Sequence, residues 1–250
     1  MQPVATPMLF LNRLIKPNRI MLAVICVAVV STLISCTAKQ PAKICFYEGE
    51  VAGGIAECAE MTAVINATAE AFDIIADKTR IDMLFITSLD GTYDEKALAI
   101  ISECDVDLVY LPRQEKENER YKAITEAVNA GNGTVIEVDG AKSLSFGDAG
   151  IDLYYDSTMT ALALRINSNG KRALILCGDA SEKCFEYLSY RDARYDIVGV
   201  DPEKINISSL CERIEPKSLL VFASEQNSVS VPDIKDTGVV YSYNTLTVEY

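Results

Sequence analysis

Two short stretches gather most of the side chains able to do chemistry. After the apolar run "IDMLFIT", the segment "SLDGTYDE" presents Ser88, Asp90, Thr92, Tyr93 and Asp94 in a single loop. The segment "LCGDA" then sets Cys177, Gly178 and Asp179 at the end of a second apolar run. Two or three carboxylates brought together from such loops can weakly hold a hard cation such as Mg²⁺ or Ca²⁺ with waters. The same aspartates also have a purely structural use. Asp90 and Asp94 flank a helix start, and "GDASE" precedes another, where an aspartate caps free backbone N–H groups.

Composition narrows the chemistry sharply. Histidine is absent from all 250 residues, and so is tryptophan. The commonest metal ligand and the usual general base near neutral pH are therefore both missing. Ser-His-Asp and Cys-His mechanisms are excluded. Eight cysteines stand singly with no C-x-x-C pair, and most lie in apolar runs such as "RALILC", where a cysteine behaves as a small buried hydrophobe. The six beyond residue 38 are expected to be free thiols, since a domain of this size needs no disulfide framework.

Charge is unevenly spread. The net value is −13, from 23 basic and 36 acidic residues. Residues 1–38 hold Arg13, Lys16 and Arg19 and no acid, which leaves 20 basic against 36 acidic residues, or −16, in residues 39–250. A domain that acidic repels phosphate backbones, so unaided DNA binding is not expected. Lys171, Arg172, Arg191 and Arg194 are the basic residues closest to forming a cluster at one edge, and Asp179, Glu182 and Asp192 intervene. The run "RQEKENERYK" mixes both signs and reads as a solvated loop and helix start.

Between Arg19 and Lys39 lie nineteen uncharged residues, "IMLAVICVAVVSTLISCTA". That is close to the length of a membrane-spanning helix. Three cations precede it, so the positive-inside rule places residues 1–19 in the cytoplasm and the acidic domain on the outer face of the membrane. The shorter, strongly apolar part also suits a signal-peptide core. "LISC" resembles a lipobox, which would lipidate Cys36. An uncleaved helix, a lipoprotein, a cleaved secreted form and a buried core helix all stay open.

The domain alternates short strands and helices. "ICFY" reads as a strand, "EVAGGIAE" as a glycine-containing turn, "MTAVIN" as a strand and "ATAEAFDIIADK" as a helix by its apolar spacing. "IDMLFIT" and "VDLVYLP" read as buried strands, with "YDEKALAIISEC" and "NERYKAITEAVNA" as helices after them. Residues 134–178 change texture to short strands, among them "ALALRIN" and "RALILC" joined by the hairpin turn "NSNGKR". "SEKCFEYLSY" and "ISSLCERI" return to helix, and the chain closes with strands. Helix–strand alternation on both flanks of an antiparallel middle predicts an α+β fold, two mixed sheets packed face to face with helices outside.

These segments resemble the metallo-β-lactamase fold, and specifically the C-terminal domain of ComEC-type competence (DNA internalisation) proteins, across about residues 40–250. The strand "IDMLFIT" and Thr87 match the start of that family's ligand motif, with Ser88 where its first histidine belongs and Asp90 at the second ligand position. Thr92 and Tyr93 replace an Asp-His pair. "INSNGKRALILCGDASEKCFEYL" matches the hairpin and helix around the metal-bridging aspartate, placing Asp179 there. "DPEK" falls at the family's His-His-Gly-Ser loop and keeps none of it. "NSVSVP" keeps Asn227 and Pro232, with Val231 in a histidine's place. The resemblance implies a zinc site whose histidines are gone, leaving Asp90, Asp179 and Asp94 or Cys177, with Tyr93 and Val231 filling the pocket. It implies no bound cofactor and no catalytic residue. The chain would be a silent, membrane-tethered binding or assembly module, with the membrane and a competence or other membrane protein as partners. The alternatives are a carboxylate-only metal-dependent phosphodiesterase or nuclease, and a ligand-binding lipoprotein.

Overall fold

The computed structural model describes residues 40–249, apart from 49–51, 76–77, 92, 114–117, 190–193, 224–236 and 242–245. The anchor segment with Cys36, and the positions Thr92, Asn227, Val231 and Pro232, lie outside the described residues. So does Arg191.

Chain order explains the architecture. Strands β1 (Lys43–Phe46), β2 (Gly54–Cys58) and β3 (Met61–Ile65) form an antiparallel meander. The chain then crosses over through α1 (Ala69–Ile75) to β4 (Arg80–Phe85), through α2 (Asp94–Glu103) to β5 (Asp105–Pro112), and through α3 (Glu119–Ala130) to β6 (Thr134–Val138). These crossovers make β3, β4, β5 and β6 parallel neighbours, as helix-linked strands must be.

The second sheet starts where the helices stop. β7 (Gly140–Phe146), β8 (Ala149–Tyr155), β9 (Ala163–Ser168) and β10 (Lys171–Leu176) run antiparallel. Asn169 and Gly170, at φ 49° and 78°, turn β9 into β10. That left-handed pair is the backbone a tight hairpin needs, and Asn-Gly supplies it cheaply. Next come α4 (Glu182–Ser189), β11 (Ile197–Val200), α5 (Ile207–Ile214), β12 (Ser218–Val221) and β13 (Gly238–Tyr241), all three strands parallel to β10. β14 (Leu246–Glu249) returns to the first sheet and pairs with β1. Among the described residues each sheet has seven strands.

The expected α+β sandwich is therefore present, with one local correction. "EVAGGIAE" is not only a turn, because β2 begins at Gly54 within it. The closing strands are divided between the two sheets.

Apolar faces account for the layering. A first core fills the space between the sheets and beneath α1, α2 and α3, with Phe46 and Phe222 meeting across it at 6.3 Å between ring centroids. A second core lies between β8–β13 and the helices α4 and α5. In α5, Ile207, Leu210, Cys211 and Ile214 are the buried stripe at helical spacing. The six described cysteines, Cys45, Cys58, Cys104, Cys177, Cys184 and Cys211, are free thiols. Among the described residues no helix is long and apolar enough to cross a membrane.

Candidate functional site

Three strand ends and one connection converge on a cleft of about 590 Å³. β4 runs out into Ser88 and Asp90. β10 runs out into Cys177 and Asp179. The segment after β11 contributes Glu203, Lys204, Ile205 and Asn206, and the β8–β9 connection contributes Thr160. Parallel strands open at their carboxyl ends, which is where such sheets place ligands.

Asn66, at the end of β3, ties the walls together. It is fully buried at φ 52°. Its Oδ1 accepts from the Thr87 N–H (2.9 Å), and its Nδ2 donates to the Ala52 carbonyl (2.7 Å) and to Cys177 Sγ (3.2 Å). The Leu162 N–H donates to the Thr87 carbonyl (2.8 Å), which fixes the Thr160 connection against the same strand end. Gly178 is required by close approach: a Cβ there would lie 2.4 Å from Thr160 Oγ1 and 2.9 Å from Ala161 Cβ. Without one, the Asp179 N–H reaches Thr160 Oγ1 at 3.1 Å.

The sequence-derived residues divide. Ser88, Asp90, Cys177 and Asp179 do line one cleft. Tyr93 is buried at 1% exposure, its ring centre 5.8 Å from Lys204 Nζ. Thr92 and Val231 lie outside the described residues. The capping expectation is corrected at both loops. α2 takes Tyr93 as its N-terminal cap with no side-chain cap hydrogen bond. At α4 the Ser181 Oγ accepts from the Cys184 N–H (3.1 Å). Neither Asp90 nor Asp179 is the side-chain cap of these helices.

What sequence reasoning missed lies in "DPEK". Lys204 Nζ donates to Asp90 Oδ2 at 3.3 Å, stands 4.0 Å from Asp201 Oδ2 and 5.8 Å from the centre of the Tyr93 ring. Asp201 is buried, and that burial pushes its carboxyl up from the ordinary value although it accepts from the Glu203 N–H (3.0 Å). The one available signal was a lysine three residues after an aspartate at a strand end.

The donors present in the cleft do not fit a metal ion. Among the described residues no three His, Cys, Asp or Glu side chains are grouped to hold a metal ion. Cys177 is a poor thiolate. Burial pushes its thiol up to about 11, and Sγ donates to the Ala52 carbonyl at 3.3 Å. An ammonium, not an open position, faces Asp90.

This architecture is the metallo-β-lactamase fold. The metallo-β-lactamase fold protein YhfI from Bacillus subtilis superposes with a TM-score of 0.59 at 11% identity, over 85% of this chain and 100% of that one. Igni18, a metallo hydrolase from Ignicoccus hospitalis, gives 0.57 at 12% identity, over 84% and 100%. A diphosphatase of the PhnP family gives 0.56 at 10% identity, over 84% and 98%. At these identities the likeness establishes the fold alone. No protein-family profile matches the sequence, and neither does any curated protein.

Proposed function

We propose that this chain is a catalytically silent, membrane-tethered metallo-β-lactamase-like domain, related to the C-terminal domain of ComEC-type competence proteins, that serves as a binding or assembly module. One observation carries the reading: the cation facing Asp90 in the cleft is the chain's own Lys204 ammonium. The total absence of histidine supports it. The tether rests on residues 1–38 and would hold the domain outside the cytoplasmic membrane, by a helix or through lipidated Cys36. Recovery of the chain in the soluble fraction of lysed cells would count against that part.

A second reading has its own support. Asp90 and Asp179 line the same cleft, and the fold neighbours include proteins described as a metallo hydrolase and a diphosphatase. A carboxylate-only metal-dependent phosphodiesterase or nuclease would use that pair. The assay that separates the two supplies the purified 250-residue chain with Zn²⁺, Mn²⁺ or Mg²⁺ at low salt. Its substrates are single- and double-stranded DNA and a chromogenic phosphodiester. The silent reading expects no turnover above buffer. It also expects no gel shift, because the −16 domain lacks the clustered cations that backbone binding needs. Metal-dependent cleavage abolished by Asp179→Ala would establish the enzyme instead.

A further inference from the structure

At the hairpin that joins β9 to β10, a hollow of about 250 Å³ opens on the second sheet. Arg165, Asn167, Gly170, Lys171 and Arg172 line it. Strand pairing explains the gathering. Asn167 and Arg172 are register partners, and Arg165 stands two residues before Asn167, so the three share one face of the sheet. Register partners lie about 5 Å apart, close enough for one small ion to meet both. Gly170 keeps the rim open, since a Cβ there would meet nothing within 4 Å.

The lining has three cations, one amide and no carboxylate. Asp152 answers Arg165, which leaves a formal balance of +2 within a domain of −16. In so acidic a domain an arginine finds an acid easily, and Arg80, Arg113 and Arg213 each pair with one. Arg172 is half-buried, yet among the described residues its guanidinium has no ion-pair or hydrogen-bond partner. Its backbone N–H does donate to Asp196 Oδ2 (2.8 Å), but Lys217 Nζ already holds that carboxylate through Oδ1 (2.7 Å). Lys171 Nζ donates to the Glu249 carbonyl (3.2 Å), which carries no formal charge. A guanidinium offers five donors in a planar fork, and the oxygens of a carboxylate or phosphate fit that fork.

A separate observation gives the oxyanion a source. Gln40 is the first described residue, and its N–H donates to Asp148 Oδ2 (2.8 Å) at the β7–β8 turn. Two residues on, the Ala42 N–H donates to Ser168 Oγ (3.0 Å), and Ser168 is the register partner of Lys171. The chain thus enters the domain alongside the hairpin that carries the hollow. An anchor in residues 1–38 would bring lipid headgroups to this end of the domain. One hollow takes one phosphate, far short of the row of contacts that DNA binding needs.

We infer that the hollow receives the phosphate of an anionic phospholipid headgroup, held by Arg172 and Asn167 with Lys171 at the rim. The inference deepens the membrane-tethered reading and rests on it.

The test reconstitutes the purified 250-residue chain into vesicles of phosphatidylcholine, alone or mixed with phosphatidylglycerol, and follows backbone hydrogen exchange in residues 168–172. Phosphatidylglycerol should slow that exchange severalfold. Arg172→Gln should raise the phosphatidylglycerol fraction needed about tenfold, the worth of one charged hydrogen bond. The variant strands no partner, so the fold is kept, which circular dichroism checks. Arg113→Gln removes the same charge from a residue outside the hollow and should change nothing. Exchange indifferent to phosphatidylglycerol overturns the inference, as does an equal response of the two variants. Inorganic phosphate giving the same protection in phosphatidylcholine alone would make the hollow a free-phosphate site and overturn the headgroup as its ligand. Flotation with the vesicles reports the tether by itself. A chain that floats without protection fails this inference alone, whereas a chain that does not float fails the tether and the headgroup with it.

Discussion

Asp152→Ala is expected to destabilise the protein by about 3–5 kcal/mol, the usual cost of stranding one member of a buried ion pair. Asp152 and Arg165 are 7% and 2% exposed. The Asp152 Oδ2 accepts from Arg165 Nε (3.0 Å), Arg165 Nη2 (2.8 Å) and Asn167 Nδ2 (2.7 Å), and Oδ1 from Ser143 Oγ (2.6 Å). Arg165 Nη1 also donates to the Leu188 carbonyl at 3.2 Å, which ties β9 to the end of α4. Removing the carboxylate leaves a guanidinium buried against an apolar layer with its charge unanswered. In a domain of this size the loss corresponds to a fall in melting temperature of roughly 10 °C. Replacing both residues, as Asp152→Leu with Arg165→Met, should cost less than the single change, because no charge is then buried alone.

The pair also fixes a pH dependence. Burial pushes the Asp152 carboxyl up, but the bonds from Ser143, Arg165 and Asn167 outweigh it and hold it below the ordinary aspartate value. A depressed native value means stability that is present above about pH 4, where the unfolded aspartate ionises, and lost as pH falls through the native value. The gap between wild type and Asp152→Ala should therefore narrow on acidification below about pH 4. A gap that widened there would show that the carboxylate is not held by these bonds.

Asn66→Ala is the second large effect, at about 3 kcal/mol, and it reaches the cleft directly. The change removes the partner of the Thr87 N–H and one of the bonds to each of the Ala52 carbonyl and Cys177 Sγ, which keep their bond to each other. Each buried group left unpaired costs about 1–3 kcal/mol. Alanine must also take φ 52°, which asparagine tolerates better. Asn66→Gly separates the two causes. Glycine relieves the backbone but restores no bond, so it should recover only about 1 kcal/mol. Loss of the clamp should also expose the Cys177 thiol, 1% exposed in the native protein, to a maleimide reagent. Full stability in Asn66→Gly would mean that backbone strain, not hydrogen bonding, defines the position.

Those two residues show where a sequence is mute. Buried parallel strands such as "IDMLFIT" and "RALILC" announce themselves as apolar runs, and Asn169-Gly170 announces its hairpin, because each signal is local. Asn66 looked like the last residue of a strand. Its meaning comes from Ala52 and Cys177, the latter 111 positions away. Arg165 and Asp152 alternate within strands that ought to be apolar, and only pairing across β8 and β9 makes them one unit. The strand in "GGIAE" was hidden because its glycines carry a turn signal whether or not they turn. The site was legible in half. Ser88, Asp90 and Asp179 were found from residue type, apolar flanks and resemblance. Lys204 was not, since its partner Asp90 lies 114 positions earlier. The aspartates' capping role failed for a physical reason: Ser181 sits closer to the α4 N-terminus, and α2 begins without a side-chain cap.

The proposed silent site rests on the Lys204 ammonium that faces Asp90 in the cleft. The most direct measurement is elemental analysis of the purified 250-residue chain, isolated without chelator, for zinc, iron and manganese. The account predicts only trace metal, far below one atom per chain. About one tightly held zinc per chain, lost with the substitution Asp179→Ala, would contradict it.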